Sequence, residues 1–210
     1  MSARLLYVMD PMCSWCWGFA PVAEALIAQA SAAGIATRLV VGGLRSGGSA
    51  LDVSTRKYIL EHWQAVQDAT GQAFRFEGAM PDGFVYDTEP ACRALVTARE
   101  LDEARMWGLL TLIQASFYEQ GVDVTRAPQL VELAVQAGFK RDVFAQRFAS
   151  HDTRSATAAD FTWAQDLGIA GFPTLLAERN GQLALLTNGY QSFESLQPLL
   201  GRWLQQAACA

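Results

Sequence analysis

Cys13 and Cys16 stand three positions apart in the stretch DPMCSWCWGF, residues 10–19. Such a pair can close a structural disulfide, supply half of a metal site, or exchange disulfides with another molecule. A zinc site needs about four Cys, His or acidic ligands, normally in two short-spaced pairs. The chain's other cysteines, Cys92 and Cys209, and its histidines, His62 and His151, are isolated singletons, so no metal site is expected. A staple gains little from closing so short a loop. The remaining chemistry is redox exchange, and it makes demands on what surrounds the pair.

The flanking elements meet those demands. RLLYVM (4–9) is a short apolar run ended by Asp10-Pro11, which suits a buried strand. From Cys16 to about Ala33 the apolar residues recur at helical spacing, with Gly34 as C-cap, and 35–41 reads as a second strand ending at Gly42-Gly43. That is a β–α–β unit with a right-handed crossover. Cys13 then lies where the crossover helix begins. Unsatisfied N–H groups and the positive end of the helix dipole lie against its sulfur and favour the thiolate. Cys16, one turn along, can attack a mixed disulfide formed at Cys13.

Residues 50–150 read as helices without a strand pattern. Asp52 or Ser54 starts the first, closed by Gly71. Thr88 caps EPACRALVTAREL, Asp102 starts the next, Thr125 starts APQLVELAVQAG, and KRDVFAQRFAS is one more. From about Ser155 a helix ending at Gly168 leads into strands 174–178 and 183–188 around an Asn180-Gly181 turn, and a helix closes the chain. The expected division is 1–48 and 153–210 as two parts of one sheet domain, with 49–152 an inserted helical subdomain. IAGFPTLL (169–176) puts Pro173 directly before a strand, where a strand-initial position or a cis bond is required.

CxxC at the first helix, a helical insertion and G-x-P-T before the third strand resemble the DsbA-like branch of the thioredoxin superfamily. DPMCSWCWGF and TEPACRA (88–94) are similar to the FrnE-like, protein-disulfide-isomerase branch. The resemblance implies an α/β thioredoxin-like fold with an inserted α-helical subdomain. It implies a thiol–disulfide oxidoreductase or isomerase in which Cys13 attacks, Cys16 resolves, and a cis Pro173 faces the pair. The backbone of Phe172 would then pair with an extended substrate. Ser14, Trp15, Trp17, Phe172 and Thr174 form the expected substrate surface. Strongly oxidising relatives carry a histidine between the cysteines; Ser14-Trp15 stands here, which implies a milder pair. Where relatives hold a buried acid, six residues before the first cysteine, this chain has Tyr7, leaving Asp10 and Glu24 as the proton-shuttle candidates.

Trp17 and Phe19 can equally be core residues, whereas Trp15 inside the motif cannot be fully buried if Cys13 reacts. Cys92, at helical spacing with Leu95 and Val96, reads as a buried small hydrophobe, Cys209 as a frayed-end thiol, and Arg45 as a solvated loop charge. With 51% hydrophobic residues, 18% charged and a net charge of -5, the chain can bury a sizeable core and is a poor match for nucleic acid or an anionic membrane. No run has the ~20 apolar residues of a membrane span. A cytoplasmic location is expected, with no cofactor beyond the redox pair, protein or peptide thiols as partners, glutathione as a conceivable co-substrate, and a monomer or homodimer. Two other functions fit the same pattern. One is a glutathione-dependent enzyme of the kappa-transferase or 2-hydroxychromene-2-carboxylate isomerase type, with Ser14 activating glutathione. The other is a non-catalytic DsbA-like adaptor or chaperone.

Overall fold

Strand β1 (Ala3–Met9) is buried on both faces from Leu5 onward, which its unbroken apolar sequence requires of a central strand. The computed structural model describes residues 3–208, side chains of 206–208 excepted, so Cys209 lies outside the described residues. Helix α1 (Ser14–Ala32) crosses over to β2 (Ala36–Val41), which pairs parallel with β1 in the register Leu5↔Thr37 to Met9↔Val41. On the other side of β1 lies β3 (Thr174–Arg179), antiparallel, followed by β4 (Gln182–Asn188); the sheet order is β2-β1-β3-β4. Asn180 and Gly181 join β3 to β4 with φ of 51° and 80°, the two positive values that a tight hairpin turn needs. Helix α8 (Phe193–Ala208) closes the chain.

Between β2 and the return to the sheet come α2 (Val53–Thr70), α3 (Glu89–Leu101), α4 (Glu103–Tyr118), α5 (Ala127–Gln136), α6 (Arg141–Ala149) and α7 (His151–Asp166). Asp52 caps α2 by accepting from Thr55 N at 2.7 Å, and Asp102 caps α4 through Ala104 N and Arg105 N. Three starts differ from expectation. Helix α1 begins at Ser14, because Cys13 is already its N-cap. Helix α7 begins at His151, where the Ser150 hydroxyl accepts from Thr153 N, so the expected 152/153 division falls inside its first turn. Thr125 caps nothing: its N–H and hydroxyl both donate to Asp123, and α5 starts two residues later.

The helices do not form a separate body. Leu5 of β1 and Phe19 and Leu26 of α1 belong to one continuous buried cluster with Trp63 of α2, Leu95 of α3, Leu109 of α4 and Phe144 of α6. Full burial of each such side chain is worth about 1.5–3 kcal/mol, so the two parts stabilise each other. A buried ion pair adds a polar tie. Arg99 of α3 donates to Asp160 of α7 and to Leu39 O of β2, each at 2.7 Å, and Asp160 accepts from Val41 N. Among the described residues no helix is long and apolar enough to cross a membrane.

Candidate active site

The loop between β1 and α1 is tied down by its own backbone. Cys13 N–H donates to Asp10 O at 3.1 Å, and Cys13 O accepts from Cys16 N and Trp17 N, opening the first turn of α1. Cys13 therefore carries its sulfur at the helix N-terminus, 7% exposed, while Cys16 one turn later is fully buried; both are free thiols. Burial pushes the Cys16 thiol well above its ordinary range, and the neighbouring Cys13 adds to the effect. The two sulfurs thus differ: one can be reached, the other is held as a thiol.

The second motif meets the first across 159 residues. The Phe172–Pro173 bond is cis, and the Cys13 thiol donates to Phe172 O at 3.6 Å. The Phe172 ring turns away from the sulfur onto Gly42, at the end of β2, where a Cβ would come within 2.0 Å of its Cζ. Thr174 is buried, its hydroxyl donating to Gly171 O at 2.8 Å. So Thr174 closes the loop instead of presenting a side chain to a substrate, and Phe172 offers its backbone while its ring locks the loop to β2. Gly42→Ala should push the ring out. It should cost about 1–3 kcal/mol in urea unfolding and slow thiol exchange through the displaced carbonyl. Unchanged stability and exchange would contradict this role.

Asp10 is completely buried behind the pair. Its Oδ1 accepts from Met12 N at 2.8 Å. Its Oδ2 takes Leu44 N at 2.7 Å, the Thr88 hydroxyl at 2.6 Å and the Cys92 thiol at 3.4 Å. Burial raises its pKa above the ordinary value, and these donors offset part of the rise. The carboxyl joins three segments: the CxxC loop, the loop after β2 and the start of α3. Thr88 consequently makes no side-chain cap to α3, contrary to expectation; its hydroxyl is engaged by Asp10 and by Arg45 O at 3.0 Å. Cys92 is buried as expected, but against a carboxyl. Beside them, Tyr86 donates its hydroxyl to Met12 O at 2.5 Å.

The remaining expected residues separate. Ser14 and Trp15 are half-buried at the helix start, with Trp15 against Tyr190, ring centroids 5.9 Å apart. Trp17 is a core residue and not part of a substrate surface: its indole N–H donates to Ala73 O at 3.0 Å and its ring stacks on Tyr118. Glu24 is exposed eight residues beyond Cys16, about 12 Å along the helix axis. It borders a different hollow between α1 and α4, away from the pair. Tyr7 is buried beneath the cysteines, and burial pushes its phenol well up. Thr88, Cys92 and Tyr86 were the residues that sequence reasoning missed as site members. The signal for Thr88 and Cys92 was the TEPACRA stretch, which spacing alone assigns to a cap and a core; Tyr86, just before it, carried none. Among the described residues no group of three or more His, Cys, Asp and Glu could hold a metal ion.

A family profile described as a DSBA-like thioredoxin domain matches residues 4–201. A candidate protein disulfide isomerase from Nitrosomonas europaea is 40% identical with a TM-score of 0.91, over 98% of this chain and 99% of that one. The cytosolic disulfide reductase DsbM from Pseudomonas aeruginosa is 28% identical with a TM-score of 0.78, over 99% and 100%; it is also solved with GSH. A 2-hydroxychromene-2-carboxylate isomerase, 14% identical with a TM-score of 0.66 over 98% of both chains, is similar in fold alone. No curated protein matches the chain.

Proposed function

The chain belongs to the DSBA-like thioredoxin family, and from that premise we propose that it is a thiol–disulfide oxidoreductase working as a reductant or isomerase through Cys13 and Cys16. The observation that carries the reading is the asymmetry of the pair. Cys13 is the sulfur at the helix terminus, within reach of the cis-Pro173 loop, and Cys16 is sealed behind it. Cys13 attacks a substrate disulfide, giving a mixed disulfide and releasing one substrate thiol. Cys16 then attacks Cys13, the second substrate thiol leaves, and a Cys13–Cys16 disulfide remains. Cys16 must give up its proton for that second step, and Asp10 is the buried acid nearest at hand.

The same surroundings support a reducing or isomerising direction of electron flow. The dipeptide Ser14-Trp15 brings no positive charge, and Phe172 O accepts from the Cys13 thiol, which favours the reduced form. The likeness to DsbM, a cytosolic disulfide reductase solved with GSH, supports the same direction, a peptide-thiol partner and a cytoplasmic setting. The Cys13–Cys16 couple, equilibrated with glutathione buffers and read by thiol alkylation, should fall near thioredoxin's value of about -270 mV or the glutaredoxin range near -200 mV. A value near -120 mV would make the protein an oxidant and overturn the direction proposed here.

A further inference from the structure

Tyr86 joins the cysteine loop to a second surface. Its hydroxyl is bonded to Met12 O, one residue before Cys13, and the Arg45 guanidinium lies over its ring, 5.4 Å from the centroid. Arg45 is held in place by its backbone. Thr88 N–H donates to Arg45 O at 2.9 Å, and Arg45 N–H donates to Thr88 Oγ1 at 3.3 Å. Arg45, Ser49, Leu51, Asp52 and Tyr86 line a cavity of 490 Å³, bounded by the Gly47-Gly48 turn, whose φ values are 64° and 124°. Among the described residues the guanidinium pairs with no carboxylate. The acid on the rim, Asp52, is engaged in capping α2, accepting from Thr55 N and the Ser54 hydroxyl.

We propose that this cavity is the subsite for a carboxylate of an anionic peptide thiol of the glutathione type, with Arg45 as the residue that recognises the charge. The proposal rests on the thiol–disulfide reading above. Three observations carry it: an anchored cation without a partner, a polar hollow beside it, and one aromatic ring between that hollow and the redox pair. In such a tripeptide a carboxylate lies one residue from the thiol, at about 3.3–3.6 Å of reach per residue. A carboxylate on Arg45 is then separated from the loop that carries Cys13 by the Tyr86 ring, whose hydroxyl bonds Met12 O. The competing hollow, about 660 Å³ between α1 and α4, is lined largely by apolar side chains, Ala20, Ile27, Trp107 and Leu110 among them, and its lining holds no cation to receive a carboxylate.

The reaction served is reduction of the oxidised pair. The first peptide thiolate attacks Cys13 Sγ; the Cys13–Cys16 bond breaks, and its electron pair goes to Cys16, which takes up a proton. A second peptide thiolate attacks the peptide sulfur of the mixed disulfide and releases Cys13. Two thiols are oxidised to one peptide disulfide, and the enzyme disulfide is reduced to two thiols. Arg45 takes part in neither bond change and acts on binding alone.

The test compares second-order rate constants for reducing the oxidised full chain by glutathione, by its diester, whose two carboxylates are blocked, and by uncharged dithiothreitol. In the wild type the glutathione-to-dithiothreitol ratio is the reference. Arg45→Ala should lower that ratio about fivefold, the size of one exposed charge-assisted contact, and Arg45→Lys should restore most of it. The diester-to-dithiothreitol ratio should match between wild type and Arg45→Ala, and about 1 M salt should shrink the glutathione difference. An unchanged glutathione ratio in Arg45→Ala, with a wild type that exchanges normally, overturns the subsite alone. A wild type inert to all three thiols overturns the thiol–disulfide reading and the subsite with it.

Discussion

Cys13→Ala should bring dithiothreitol-driven insulin reduction down to the uncatalysed rate, whereas Cys16→Ala should still attack and accumulate a covalent mixed disulfide with the substrate. The two variants differ because the two sulfurs do. Cys13 is the sulfur at the helix terminus and borders the Phe172–Pro173 loop. Cys16 has no exposed surface, and its thiol is pushed up by burial and by its partner, so it cannot open the reaction. Its work begins once an adduct on Cys13 holds a disulfide bond one turn away. Each variant removes one buried sulfur and should lose only about 1 kcal/mol of stability, so far-UV circular dichroism and urea unfolding will separate chemistry from folding. Mass spectrometry of the Cys16→Ala protein mixed with oxidised substrate should show one added peptide. Insulin reduction by Cys13→Ala at the wild-type rate would remove the nucleophile from Cys13 and with it the proposed function.

Much of this arrangement was legible along the chain because it is local. The apolar run RLLYVM had to be a central strand, Asn180-Gly181 had to turn, and Cys13 had to stand at a helix start; each follows from neighbours within a few residues. The meeting of CxxC with Pro173 was legible for another reason. Two motifs with one known spatial relation stand for a fold, and the family resemblance supplied the relation. Side-chain direction was not legible. Trp17 and Thr174 are adjacent in sequence to reactive or loop residues, yet one turns under α1 towards Tyr118 and the other closes its own loop. Adjacency says which residues are near a site, and orientation, set by distant packing, says which belong to it.

The Asp10 cluster was hidden for the same reason at longer range. Its partners Leu44, Thr88 and Cys92 lie 34, 78 and 82 residues away. Thr88 before Glu89-Pro90 has every local mark of a helix cap, and Cys92 every mark of a core residue. A buried carboxyl competes for both and wins, because a carboxyl without donors costs more to bury than a helix N-terminus loses by missing one cap.

That carboxyl carries the second large prediction. Asp10→Ala should cost about 2–4 kcal/mol in urea unfolding, since Met12 N–H and Leu44 N–H lose their acceptor and each orphaned donor costs about 1–3 kcal/mol, while the Thr88 hydroxyl can still donate to Arg45 O. Asp10→Asn keeps one oxygen but turns an NH₂ towards either Met12 N–H or Leu44 N–H, and should cost less. The pH dependence separates the carboxyl's charge from its shape. Burial raises the folded pKa of Asp10 above 3.8, so the native state holds the proton more tightly than the unfolded chain. Its stabilising contribution is fully present below about pH 3.9 and is lost as pH rises through the folded value. The stability difference, wild type minus Asp10→Asn, should therefore fall as pH rises from about 4 and level off once Asp10 is ionised. A difference that stays flat or grows with pH would show that the raised pKa is wrong. The network has room for both states. The Thr88 hydroxyl can donate to an ionised Asp10, or accept from a protonated one and donate to Arg45 O. A group that changes protonation without breaking its surroundings suits the removal of a proton from Cys16. Asp10→Asn should accordingly slow the release of substrate from the mixed disulfide more than its formation.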